Sequence, residues 1–193
     1  MNTGELEQYR NDLTCAYTGS GSFPPAETPL GSVTAGIREM ISSYLTDAEV
    51  FYQREDLVNE YAALLYVHGW FDAAVYLGYI AGQSPNPLLP DDLIIPCDLH
   101  DRLVEKHDRY DQMLRDALGS IEVAPETGSP LYAAAIFIRK KGEDAVKCER
   151  SEPAYVSELG SLSYGYGWID AGLRAGLFRI TANPHLFTTE TDR

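Results

Sequence analysis

The chain has 193 residues, 45% apolar and 23% charged, with 29 acids against 15 lysines and arginines and a net charge of −14. That profile is an ordinary globular protein with room for one good core or two small domains. The acidity argues against a nucleic-acid partner, because phosphate repulsion would need a local basic patch to overcome it.

In chain order, residues 1–10 carry acids and no apolar run of the kind a secretory signal needs. Leu6, Tyr9, Leu13 and Tyr17 form one apolar stripe, predicting a first helix. A loop rich in Gly, Ser and Pro follows from Thr18 to Gly31. Val33, Ile37, Met40, Ile41, Tyr44, Leu45, Ala48 and Phe51 then recur at spacings of three and four, predicting an amphipathic second helix. A third helix is predicted from near Asp56 to about Ala81. It is apolar almost all round, so it is expected to be the most buried element.

The segment from Gln83 to Pro96 holds four prolines and reads as a linker. Leu99, Leu103, Tyr110, Leu114 and Leu118 begin a second set of helices. Ser129 with Pro130 gives the next a capped start, and the last resumes after Pro153. Leu93-Ile94-Ile95 is too short to predict a strand, so the fold class expected is all-α. The apolar runs Tyr61–Ala81 and Leu159–Ile180 are long enough to weigh as membrane spans. Asp72 in the first, and Asp170, Arg174 and Arg179 in the second, would each cost roughly 2.5–3.5 kcal/mol at a bilayer centre. Both are therefore read as core helices, with no membrane partner expected.

Comparison of the chain with itself gives the main result. Residues 66–78 read YVHGWFDAAVYLG and residues 164–176 read YGYGWIDAGLRAG; both tryptophans of the chain, Trp70 and Trp168, fall in this string, 98 residues apart. Val58, Glu60, Leu64, Tyr66, Gly69, Trp70, Asp72, Ala73 and Gly78 recur as Val156, Glu158, Leu162, Tyr164, Gly167, Trp168, Asp170, Ala171 and Gly176. Upstream, Asp47-Ala48 corresponds to Asp144-Ala145, and Tyr9, Leu13 and Ala16 faintly to Tyr110, Leu114 and Ala117. The expected architecture is two tandem three-helix units packed as a pseudo-twofold bundle: residues 1–82, a linker 83–96, residues 97–182, and a tail 183–193.

The string Tyr-x-x-Gly-Trp-x-Asp-Ala, followed by Gly78 or Gly176, resembles a family of short archaeal proteins known only as domain-of-unknown-function family 357. Ser43-Tyr44-x-x-Asp47-Ala48 with Phe51 is similar to that family's second helix. The likeness covers residues 33–81 well and 154–180 in the second copy, where Cys148 replaces the aromatic and no Ser-Tyr precedes Asp144. The resemblance implies a small helical bundle, an archaeal source and, since most members carry one copy, a fused pseudo-dimer. It brings no activity.

Candidate chemistry is sparse. His68 and Asp72 lie four apart on one helix face, close enough to touch, either as a base with its orienting acid or as a buried carboxylate with its donor. Tyr166 and Asp170 repeat the arrangement with a different donor, which favours the second reading. Gly69 with Ala73, and Gly167 with Ala171, put small residues on one ridge of each third helix, so these two helices are expected to cross at the glycines. Trp70, Trp168, Tyr66 and Tyr164 are core aromatics or the wall of a pocket. Glu60 and Glu158 sit early in their helices, where a carboxylate suits the dipole.

Cys97, His100, Asp101, His107 and Asp108 cluster without a third element to complete a metal site, so no metal or cofactor is expected. The three widely spaced cysteines, Cys15, Cys97 and Cys148, form no disulfide framework and fit a reducing cytoplasm. The basic stretch Arg139, Lys140, Lys141, Lys147 and Arg150 is interleaved with acids and reads as a solvated face. No phosphate loop, GxSxG or HExxH is present, and Gly19-Ser20-Gly21-Ser22 lacks a lysine. The expected function is a non-enzymatic module that binds an unidentified protein or small molecule, with self-association left open. The alternative is a small helical enzyme with Glu60, Tyr66, His68 and Asp72 as acid–base groups in an inter-repeat pocket.

Overall fold

The structure is a computed structural model that describes residues 3–87, 96–147 and 155–188. Its helices are α1 (Thr3–Thr18), α2 (Pro29–Gln53), α3 (Leu57–Tyr76), α4 (His100–Gly119), α5 (Pro130–Ala145) and α6 (Tyr155–Arg174), so the fold is all-α, with two short strand pairs among the described residues. Strands β1 (Gly21–Ser22) and β2 (Ile80–Ala81) pair antiparallel in the first half; β3 (Ile121–Val123) and β4 (Phe178–Ile180) do so in the second. Each half therefore runs helix, strand, helix, helix, strand. The Leu93–Ile95 segment, Cys148, Pro153, residues 88–95 of the linker and residues 189–193 of the tail lie outside the described residues.

Local chemistry accounts for the element ends. Thr28 caps α2 by accepting from the Gly31 amide, with Pro29 in the first turn, and Ser129 caps α5 by accepting from the Tyr132 amide, with Pro130 in the first turn. Asp56 caps α3 through the Asn59 amide. The third helices stop earlier than their apolar runs predict, at Tyr76 and Arg174. Gly78 and Gly176 both take φ +75°, a conformation costly for residues with a Cβ. Around them the Tyr79 amide reaches Ala74 O and the Leu177 amide reaches Gly172 O, the closure of a left-handed helix stop. Beyond that stop Ile80–Ala81 and Phe178–Ile180 continue as strands. Two or three residues are too few to show the alternation by which strands are read from sequence.

The core is built around α3 and α6, whose mutual contact is the largest between any two elements. In α3, 15 of 20 residues are buried, Trp70, Phe71, Tyr61 and Leu64 completely, and α6 is buried almost as fully. The helices of each half then pack onto their own member of this pair, α2 on α3 and α5 on α6, with α1 and α4 closing the outside. The α3–α6 crossing lies at the two glycines. A Cβ on Gly69 would stand 2.1 Å from Tyr164 O, and one on Gly167 2.2 Å from Tyr66 O; each would be 3.1 Å from the other glycine's Cα. Both clashes are with backbone, which cannot swing aside. Ala73 and Ala171, on the same ridges, are wholly buried.

Gly69→Ala or Gly167→Ala is therefore expected to cost at least about 1–3 kcal/mol, which for a chain of this size lowers the melting temperature by several degrees. Gly119→Ala, at a helical glycine with no neighbour within 4 Å of the added methyl, should leave it unchanged or raise it. Thermal melts followed by circular dichroism check the contrast; equal effects at all three sites would refute the crossing.

Candidate functional site

Around the crossing, the repeat's polar residues are exchanged between halves. Tyr66 of α3 donates to Asp170 Oδ2 of α6 at 2.5 Å, and its counterpart Tyr164 donates to Asp72 Oδ2 at the same distance. Each tyrosine also packs edge-on against the tryptophan one turn along, Tyr66 on Trp70 and Tyr164 on Trp168, both at an interplanar angle of 71°. A buried carboxylate, Asp170, and a partly buried one, Asp72, thus receive charge-assisted hydrogen bonds from the opposite repeat.

The remaining partners differ between the two aspartates. Asp72 also accepts from Ser84, and His68 Nε2 lies 3.5 Å from its Oδ2. His68 Nδ1 is held in turn by the Tyr9 hydroxyl at 2.5 Å. Burial raises the Asp72 pKa, but His68, Ser84 and Tyr164 more than offset it, and the group titrates below the ordinary aspartate value. At Asp170 the residue four positions back is Tyr166, whose hydroxyl donates to Leu186 O instead. Oδ1 of Asp170 is buried and accepts no hydrogen bond from any described residue. Burial pushes its pKa up to about 7, against the lowering effect of the Tyr66 bond. Equivalent positions in the repeat have acquired opposite electrostatics.

Asp170 borders a cavity of about 250 Å³ between the halves. Tyr44 and Asp47 of α2 line it, with Asn59, Ala63 and Tyr66 of α3, Lys106, Tyr110 and Met113 of α4, Tyr166 and Asp170 of α6, and Leu186 and Thr188 beyond β4. Tyr44 packs edge-on against Tyr66 at 4.6 Å, and Tyr66 lies 6.2 Å from Tyr166. The Lys106 ammonium is held by the Asn59 side-chain oxygen and sits 4.8 Å from the centre of the Tyr110 ring. Lys106 is only 7% exposed, and burial first, then the charges of Arg109 and Arg102, bring its pKa down to about 8 against the opposing pull of Asp56 and Glu105.

Of the residues predicted from sequence, Tyr66, Tyr166 and Asp170 meet at this cavity. Asp72, His68 and Tyr164 form a separate network on the other side of the crossing. Glu60 and Glu158 belong to neither: Glu60 lies 3.4 Å from Arg10, and Glu158 lies 3.1 Å from His107 Nε2. Burial raises Glu60 to about 7, with Arg10 opposing and Glu49 and Glu7 adding to the rise. Trp70 and Trp168 are core, and neither lines the cavity.

His107 turns to Glu158 and Asp108 and not to His100, and among the described residues no three metal-ligating side chains converge. Arg139 donates to Leu118 O at the end of α4 and to Ile121 O in β3, while Lys141 lies over Phe137 and Trp168. Arg150 lies outside the described residues. Sequence reasoning missed Lys106 and Tyr44 as lining groups. The available signal was a lysine on the inward stripe of α4, between Leu103 and Tyr110.

The raised carboxylates predict a pH dependence. Asp170 and Glu60 hold a proton in the folded chain between the ordinary carboxylate range and about 7 that the unfolded chain has released. Stability therefore declines as pH rises through that window, by up to about 1.4 kcal/mol per pH unit per group. In Asp170→Asn, calorimetric melts between pH 4.5 and 7 should show a visibly flatter decline than wild type; an unchanged slope would contradict a raised Asp170 pKa.

A family model described as "Protein of unknown function (DUF357)" matches the chain twice, over residues 8–80 and 109–178. Compared with the curated proteins and with the solved structures, the chain finds no match. The two family matches fall on the two halves of the bundle and together take in most of its length, so the chain belongs to the DUF357 family as a tandem duplication of its domain.

Proposed function

We propose that this protein is a non-enzymatic module that binds a small molecule in the cavity between its two repeats. The observation that carries this reading is Asp170 Oδ1, a buried acceptor on the cavity wall with no hydrogen-bond partner among the described residues. Leaving such an oxygen unmatched costs about 1–3 kcal/mol, and more for a charged group. Its counterpart Asp72 bears no such cost, so the geometry of the repeat does not require it. An occupant supplying a donor offsets the cost, and the tyrosine rings around it offer apolar faces for the rest of the molecule. The cavity is smaller than the roughly 300–1,000 Å³ typical of drug-sized ligands, so the occupant is small.

An enzyme is the second reading. It draws support from Asp170 and Lys106, two groups in one cavity with pKa values moved to about 7 and about 8. The earlier quartet supports it less, because Glu60, His68 and Asp72 do not line this cavity. A cytoplasmic, archaeal setting completes the proposal, on the cysteine usage and the resemblance described above. No helix among the described residues is long and apolar enough to cross a membrane.

The test is a fragment screen by NMR on the full chain with 13C-labelled tyrosine, alongside native mass spectrometry of protein purified from its own host. Fragments are expected to move the Tyr44, Tyr66 and Tyr110 resonances. Ala63→Leu, which fills the cavity from α3, should abolish the response while the melting temperature is kept. Resonances unmoved by every fragment, with no co-purified mass, would end the proposal. Chemical conversion of a bound molecule on incubation would decide for the enzyme.

A further inference from the structure

The second half departs from the first in more than one place along the same cavity. Position 68 puts an imidazole nitrogen 3.5 Å from Asp72 Oδ2, whereas the equivalent Tyr166 bonds elsewhere and leaves Asp170 Oδ1 without a donor. Glu5 of α1 is exposed; its equivalent, by the register that matches Tyr9 to Tyr110, is Lys106, buried in the cavity wall. Among the described residues no carboxylate lies within ion-pair distance of Lys106. Its hydrogen bond is to a neutral amide, and Arg102 and Arg109 stand on the same helix. Lys106 and Asp170 do not pair with each other. One cavity therefore offers an unmatched carboxylate oxygen and an ammonium on which Asp56 and Glu105 act only from beyond ion-pair distance, in a wall that also holds aromatic and aliphatic side chains.

Resting on the cavity-binding reading above, we infer that the ligand class is a small amino-carboxylate with an apolar body, its ammonium on Asp170 Oδ1 and its carboxylate on Lys106. The ammonium takes over at Asp170 the part that His68 has at Asp72. The carboxylate supplies a direct partner in place of the more distant charges of Asp56 and Glu105, and an N⁺–H to carboxylate contact is among the stronger hydrogen bonds available to a small molecule. The rings of Tyr44 and Tyr66, which line the same cavity, add attraction for the cationic end. A molecule with only one charge would leave the other buried group as it is.

Four six-carbon probes separate the cases: 6-aminohexanoate and norleucine, which carry both ends at two separations, and hexylamine and hexanoate, which carry one each. They are titrated by calorimetry into the full chain at pH 7.5. One of the two-ended probes is expected to bind at least about tenfold tighter than either one-ended probe, the factor of one charge-assisted hydrogen bond. Asp170→Asn should bring that probe down to the affinity of hexanoate, and Lys106→Met to that of hexylamine. Asp72→Asn, outside the cavity, should leave it unchanged. The ranking is read on wild type, so it stands even where a variant fails to fold. Hexylamine or hexanoate binding as tightly as the best two-ended probe overturns the class and leaves a cavity-binding protein for cations or anions alone. Silence from all four overturns the class too, and the tyrosine-labelled fragment screen then decides separately whether the cavity binds anything.

Discussion

The close approach of α3 and α6 at Gly69 and Gly167 is the constraint from which the rest of the structure follows. Without side chains at these two positions the backbones come near enough for each helix's tyrosine to reach the aspartate of the other. A Cβ on either glycine would overlap the tyrosine carbonyl of the partner helix, the residue whose hydroxyl makes the exchanged bond. The glycines and the Tyr–Asp pairs are therefore one device. Small residues set the distance, and two charge-assisted hydrogen bonds fix the rotation of one helix on the other. Non-directional apolar packing, however extensive, supplies area but not that register.

That device also brings two carboxylates to the crossing, Asp170 buried and Asp72 partly exposed, and the two halves treat them differently. Asp72 is satisfied by Tyr164, Ser84 and nearby His68, and it titrates low. Asp170 has Tyr66 alone and titrates near neutrality. The change from His68 to Tyr166 replaces a side chain that turns to the aspartate with one whose hydroxyl is taken by Leu186 O. The bond to Leu186 ties the segment after β4 to α6, and Leu186 and Thr188 then form part of the cavity's edge. One substitution thus both frees an acceptor and helps shape the space next to it.

The fold was legible in the sequence because duplication supplies an internal alignment. Nine matched positions include the two glycines, so the crossing could be read from small residues repeating on one ridge. The helix ends were less legible: Gly78 and Gly176 were visible as a matched pair, but the strands beyond them depend on pairing with Gly21–Ser22 and Ile121–Val123, far away in the chain. The site was half legible. Tyr66, Tyr166 and Asp170 stand out because they are part of the repeat or break it. Lys106 and Tyr44 sit on amphipathic stripes that also predict ordinary core, and only the packing of α2 and α4 across the repeats turns them toward Asp170. Glu60 and Glu158 lie away from this cavity, and a repeated acid reads equally well as site or as the buried partner of Arg10 and His107.

Fusion explains why the asymmetry can exist. In a symmetric pair of identical units every residue choice acts twice, so a histidine that satisfies one aspartate satisfies both, and a tyrosine that abandons one abandons both. Two unmatched buried carboxylates at the same crossing would each carry a desolvation cost, in a fold whose total stability is only about 5–15 kcal/mol. Joining the copies in one chain uncouples the choices. The first half can keep the satisfied network that holds the crossing, while the second carries a single raised carboxylate beside a cavity. The stability lost at Asp170 is then bounded by one group, and the crossing retains both of its exchanged bonds. A tandem duplication is the simplest arrangement in which this fold can carry an unsatisfied site without doubling its cost.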